Sequence, residues 1–141
     1  MVNRSLVSAK LTELADRTAR VRDKVPSSAL VLTQDRDLLD IVSFNLMLAV
    51  QCCADIASHL IADEGWPAAG SLAEGFTRLE ERGVISVSTG SELRRAVGLR
   101  NVVAHGYGRV DPTAVYAGAT RGVVDLDTFA REVASWVAAR P

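Results

Sequence analysis

Four side chains between positions 100 and 107 concentrate the reactive chemistry of this chain: Arg100, Asn101, His105 and Tyr107, in R-N-V-V-A-H-G-Y. Histidine titrates near neutrality and can move a proton in either direction, whereas arginine stays charged and can grip two phosphate oxygens at once. Such a set suits a site that holds a phosphate and transfers a proton. Each residue also has an ordinary reading. An arginine on an inward helical line is commonly half of a structural ion pair, because a desolvated guanidinium needs an anion or several acceptors. A histidine near a helix end is commonly a cap on the carbonyl end of the helix dipole. Tyr107 can be an interface tyrosine with one hydrogen bond. By chemistry alone the set points to phosphate binding and no further.

The elements that must position these residues can be read from spacing. Thr89 and Glu92 have the form of a capping box, so a helix is expected to start near Thr89. At about 100° per residue, Leu93, Ala96, Leu99 and Val103 form its core stripe, with Arg100 and Tyr107 inside that stripe. His105 falls about 140° round from Arg100, roughly in line with Arg94 and Asn101. A pocket or a dimer seam is therefore needed to gather the set. Gly106 and Gly108 loosen the backbone on either side of Tyr107, which is expected to stand exposed.

The motif fits R-x4-H-x-Y, with a polar residue directly after the arginine. It resembles the HEPN ribonuclease superfamily, specifically the HepT toxins formerly grouped as a domain of unknown function. A long apolar helix before the motif, a polar tail after it and the chain length extend the resemblance over nearly the whole sequence. The resemblance implies an all-α, HEPN-like bundle of about five helices, with residues 1–141 forming one domain. It implies a homodimer with a composite site at the two-fold interface, where Arg100 and His105 are the catalytic residues of a metal-independent RNA endonuclease. Two motifs across one cleft would supply two histidines, and would remove the objection that Arg100 and His105 diverge on one helix. Asn101 would orient the phosphate or the histidine.

The same resemblance implies the toxin of a HepT/MntA-type (type VII) toxin–antitoxin system. Its partner would be a small MntA-like nucleotidyltransferase antitoxin that transfers AMP to Tyr107. An AMP adduct adds bulk and negative charge, obstructing RNA and compensating Arg100, from which Tyr107 differs by about 20° on an ideal helix. ATP and magnesium would belong to the antitoxin, and this chain would need no cofactor. A competing reading keeps the fold and the partner: a non-catalytic helical module whose groove binds a nucleotide or positions a nucleotidyltransferase. A third is a structural dimerisation bundle in which Arg100 is only an ion pair.

At 141 residues the chain supports one domain with a real core. A formal net charge of -1 gives no general attraction to nucleic acid, so any RNA contact must be local. Cys52 and Cys53 are adjacent on an expected helix, where neighbouring side chains diverge, and read as reduced, buried thiols. With no C-x-x-C pair and only His59 and His105, a protein-built zinc site is not expected. The start lacks the apolar run of a signal peptide, and a reducing cytoplasm is the natural compartment. No glycine-rich phosphate loop, H-E-x-x-H or nucleophile elbow occurs.

Around the motif, four further helices are expected. Residues 5–25 are amphipathic, with Val7, Leu11, Leu14, Val21 and Val25 at helical spacing, and Pro26-Ser27-Ser28 breaks the pattern. Residues 35–63 form the most apolar element, capped from Thr33 to Asp35. Asn45, Gln51, Asp55 and His59 interrupt it before a clean membrane-spanning run of about 20 residues is reached. Its apolar circumference suggests burial on two sides, once by its own bundle and once by another subunit. Asp37, Gln51, Asp55 and Ser58 share a broad polar sector, from which Asp37 and Asp55 are candidate partners for Arg100. Ser71 and Glu74 open a helix to about Arg82, ended by Gly83. Residues 84–88 read as a connector. Asp111-Pro112 opens a short helical turn, the stretch to Gly122 is otherwise loop, and a last helix from about Asp125 carries Leu126, Phe129, Val133, Trp136 and Val137 inward.

Overall fold

Five of the helices begin where a short polar side chain satisfies an amide that has no helical partner. Asn3 accepts from the Leu6 amide (3.1 Å) and opens α1, Arg4–Lys24. Asp35 accepts from the Leu38 amide (3.0 Å) and opens α3, Arg36–Glu64, after a six-residue helix α2, Ala29–Gln34. Ser71 accepts from the Glu74 amide (3.1 Å) and opens α4, Leu72–Glu81, while Glu74 reaches back to the Gly70 amide (2.7 Å). Ser86 opens α5, Val87–His105, and Asp111 opens α6, Pro112–Ala117. A five-residue π-helical stretch, Gly118–Gly122, leads into α7, Val123–Ala138. This computed structural model describes residues 1–106 and 110–141, and the described residues contain no strand.

The most apolar helix is also the central one. α3 lies along α1 and against α4, α5 and α7, burying Val42, Leu46, Val50, Ile56, Leu60 and others. Its length and hydropathy match those of a membrane span, yet 61% of its most apolar window is buried inside the bundle. Phe76 of α4 meets Phe129 of α7 edge to face, with ring centroids 5.9 Å apart, and both are fully buried. Burial of each such side chain stabilises the fold by about 1.5–3 kcal/mol. Trp136 packs edge to face on Trp66 (5.7 Å), as expected of a packing residue. Left-handed glycines follow two of the helices: Gly65 (φ 67°) after α3 and, as expected, Gly83 (φ 73°) after α4.

Three expectations are corrected. The cap of α5 is Ser86, which accepts from the Thr89 amide (3.1 Å); Thr89 is inside the helix, buried, with its hydroxyl on Glu132. Val84 and Ile85 are the buried connector, and Val87 and Ser88 already belong to the helix. The stretch before Gly122 is helical rather than loop. Val115 and Ala119, four residues apart, are both buried, and the Tyr116 hydroxyl donates to the Ser27 carbonyl (3.0 Å), tying α6 to the residues before α2. Gly118 permits this approach. A Cβ there would lie 2.7 Å from Leu46 Cδ2 and 3.2 Å from Leu99 Cδ2.

Candidate active site

The innermost line of α5 runs through Thr89, Leu93 and Val97, and its next step, three residues on, is Arg100. Ala96 and Leu99 pack at its edge, half-buried, so the deepest face is rotated from the expected stripe toward Val97. A half-buried guanidinium thus stands where the helix meets α3.

Its acceptors are neutral. Arg100 donates to Gln51 Oε1 from both Nε (3.0 Å) and Nη2 (2.6 Å), and to Asn101 Oδ1 from Nη1 (3.0 Å). Gln51 in turn donates through Nε2 to Asp55 Oδ1 (2.9 Å), and Lys10 of α1 donates to Asp55 Oδ2 (3.1 Å). The hydrogen bond to Asp55 raises the Lys10 pKa, against the opposing cost of burial, with the charges of Asp55 and Glu13 adding to the rise. The expected pairing of Arg100 with Asp37 or Asp55 is therefore corrected. Asp55 is engaged by Lys10 and Gln51. Asp37 is exposed and lies fourteen residues up the helix from Gln51, about 21 Å along the axis. Among the described residues Arg100 has no ion pair. Arg17 of α1 also leans on an α3 amide, Asn45 Oδ1 (3.1 Å), but through a single nitrogen.

The structure brings Arg100, Asn101 and Gln51 together. His105 is the last residue of α5 and exposed, about 7.5 Å further along the axis by helical rise. The helix closes there on Gly106 (φ 64°), whose amide donates to the Val102 carbonyl (3.0 Å). The modification site expected at Tyr107 lies outside the described residues. Gln51 is the participant that sequence reasoning placed in the polar sector but not on the arginine. Its signal was a long amide on the apolar helix, four residues before Asp55.

Neither cysteine offers a nucleophile. Cys52 and Cys53 are free and buried; desolvation first, then the charge of Glu13, pushes the Cys52 thiol up to about 11. Among the described residues no group of three or more His, Cys, Asp or Glu is arranged to hold a metal ion. A groove of about 980 Å³ runs between α5 and the α6–α7 segment, lined by Ala96, Leu99, Val102, Ala114 and Gly118. Arg100, Asn101 and His105 do not line it, so the charged cluster and this groove are separate features.

Residues 14–133 match the family model described as "Ribonuclease HepT-like". The chain belongs to the HepT-like ribonuclease family. An mRNA nuclease HepT from Shewanella oneidensis is 29% identical over 96 residues, which cover 68% of this chain and 72% of the relative. Among solved structures, a tri-AMPylated Shewanella oneidensis HEPN toxin in complex with MNT antitoxin superposes with a TM-score of 0.85 at 24% identity, covering 96% of this chain and 99% of the other. YutE, a cytosolic protein of unknown function from Bacillus subtilis, superposes with a TM-score of 0.83 at 18% identity, covering 96% and 91%. At these identities the superpositions establish the HEPN fold. In this HepT-like chain the R-x4-H-x-Y motif begins where α5 crosses the central helix and runs past its C-terminus.

Proposed function

We propose that this chain is the toxin of a HepT/MntA-type toxin–antitoxin system, an endoribonuclease of the cytoplasm whose catalytic residues are Arg100 and His105. The observation that carries the proposal is the state of Arg100. Its hydrogen bonds go to neutral amide oxygens, so its position is fixed while its positive charge stays available to a phosphate. The exposed His105 closes the same helix.

The site is proposed to be completed by a second copy. Ile41, Phe44, Leu48 and Gln51 recur at helical spacing on α3; Ile41 and Phe44 are exposed at 38% and 52%, and this apolar stripe leads to the residue that holds Arg100. A dimer along that stripe would set two motifs across one cleft. One His105 takes the proton of a ribose 2′-hydroxyl, whose oxygen attacks the adjacent phosphorus. The P–O5′ bond breaks, and the partner subunit's His105 gives a proton to the leaving oxygen. Arg100 stabilises the charge that builds on the non-bridging oxygens. The products are a 2′,3′-cyclic phosphate and a 5′-hydroxyl, and no cofactor is needed. Asn101, bonded to Arg100, keeps the guanidinium oriented.

Control is proposed to lie with a nucleotidyltransferase antitoxin like the MNT partner of the Shewanella toxin. Using ATP and magnesium, it would join AMP to the Tyr107 phenol with release of pyrophosphate, placing negative charge near Arg100. The test is expression of this chain alone beside His105→Ala and Arg100→Ala at matched protein level, with total RNA examined. Growth arrest and new RNA ends are expected from the parent alone. Equal behaviour of parent and His105→Ala would overturn catalysis and favour the non-catalytic binding module.

A further inference from the structure

Gln51 is an amide whose orientation is fixed from both sides. Arginine only donates, so the Gln51 oxygen must face Arg100; an ionised carboxylate only accepts, so the amide nitrogen must face Asp55. The observed contacts follow that rule, with Oε1 receiving two bonds from Arg100 and Nε2 giving one to Asp55 Oδ1. Asp55 is anchored on α1 by Lys10 as well, so three helices contribute to the hold on one guanidinium. A glutamate at position 51 would reach as far and would form an ion pair with Arg100. A half-buried arginine would ordinarily be expected to find such a partner.

We propose that Gln51 is a positioning residue for RNA cleavage: oriented by Asp55 and Lys10, it aims Arg100 at the scissile phosphate while leaving the guanidinium charge uncancelled. This rests on the ribonuclease reading of the same site. A carboxylate at position 51 would hold the arginine equally well and compete with the phosphate for it. An apolar side chain would leave the charge but release its aim. Electrostatic stabilisation depends on preorganised donors, and misplacement on the scale of one ångström is enough to lose it.

The test is single-turnover cleavage of a single-stranded RNA by the full-length purified chain, with kcat and KM separated and folded fraction matched by circular dichroism. Gln51→Met, which keeps length without the amide, and Gln51→Glu are both expected to lower kcat about tenfold or more while KM changes little, because the contact matters most in the transition state. Gln51→Glu gains an ion pair with Arg100 but sets a second carboxylate against Asp55, so its kcat is compared per folded molecule. From the far side of the amide, Asp55→Leu should lower kcat by about threefold and Asp55→Asn should restore most of it, since an Asn oxygen can still accept from Gln51. Parent-like kcat in both Gln51 variants, with Arg100→Ala impaired, would overturn the positioning role and leave the ribonuclease reading standing. Losses that track unfolding, with Asp55→Asn no better than Asp55→Leu, would overturn it too. Parent-like cleavage by Arg100→Ala would remove both readings together.

Discussion

Arg94 and Arg100 sit six residues apart on one helix, both half-buried, and they are satisfied in opposite ways. Arg94 Nη1 donates to Glu80 Oε1 of α4 (3.0 Å), with the Thr77 hydroxyl beside it (3.4 Å). Gly90, one turn earlier, leaves the space that the Glu80 carboxylate fills; a methyl there would collide with it. The Arg94 charge is cancelled where it stands. Arg100 receives amide oxygens, and the nearest carboxylate in its network, Asp55, lies beyond Gln51 and is shared with Lys10. Burial alone does not separate a structural arginine from a working one. On the proposed reading compensation does: an anion in contact makes the guanidinium a brace, whereas neutral acceptors hold it and leave its field for a ligand.

The sharpest way to break this comparison is to remove each arginine in turn from the purified protein. Arg100→Ala should cut kcat by about a hundredfold to a thousandfold, the scale of losing one donor to a developing oxyanion, with little change in melting temperature. Arg94→Ala should show the reverse pattern, a lower melting temperature with parent-like kcat per folded molecule. Thermal denaturation and single-turnover cleavage on the same preparations decide it. An Arg94→Ala chain that folds normally but no longer cleaves would show that compensation is the wrong criterion.

The distinction between these arginines was only half legible in the sequence. Local signals carried the frame: the caps Asp35, Ser71 and Asp111, the terminator Gly83, and the apolar spacing of α1, α3 and α7 all act within a few residues of themselves. The motif carried the family. What failed depends on packing between distant segments. Thr89 has a capping-box neighbour at Glu92, yet Glu132, 43 residues away, claims its hydroxyl, and Ser86 becomes the cap. Only the opening turn at Asp111-Pro112 was legible in the α6 and π-helical stretch; the rest read as loop, and its helix is held by contacts with the distant Leu46, Leu99 and Ser27. Asp37 and Asp55 were the electrostatic guess for Arg100. A helical wheel places residues on a face, but it cannot show that an amide lies between the arginine and the acid.

A second test disturbs the support behind Arg100 without altering a charge. Gly118→Ala places a methyl 2.7 Å from Leu46 Cδ2 and 3.2 Å from Leu99 Cδ2, one residue before Arg100. Overpacking of this kind should destabilise the chain by about 1–3 kcal/mol in urea unfolding. Cleavage per folded molecule should survive if Arg100 takes its aim from Gln51 on α3. Loss of cleavage with stability intact would shift the positioning role to the α6 contact.

Closer to the brace itself, Glu80→Gln should lower stability by about 1 kcal/mol, since it replaces a partly buried ion pair with a weaker hydrogen bond. Its counterpart is Gln51→Glu, where a new pair with Arg100 is offset by a second carboxylate beside Asp55, and cleavage per folded molecule is the quantity that should fall. Opposite charge changes at matched positions thus give opposite readouts, stability for Arg94 and cleavage for Arg100. If both substitutions moved stability and neither moved kcat, the two arginines would be the same kind of residue.

The smallest effect lies at the outer end of the Arg100 network, and its sign follows from linkage. Lys10 has its pKa raised above 10.5 in the folded chain, chiefly by its hydrogen bond to Asp55, so the fold favours the protonated amine. That contribution is fully present below the unfolded value of about 10.5 and is lost as pH rises through the higher folded value. Cys52, pushed up to about 11 by burial, bends the stability curve in the same direction, so the parent alone cannot separate the two. The difference between parent and Lys10→Met reduces that shared background. Their melting temperatures should differ by a small, constant amount from neutral pH to about pH 10 and converge above it. A gap that persists unchanged beyond that range would mean that the Lys10 charge contributes nothing to holding Asp55.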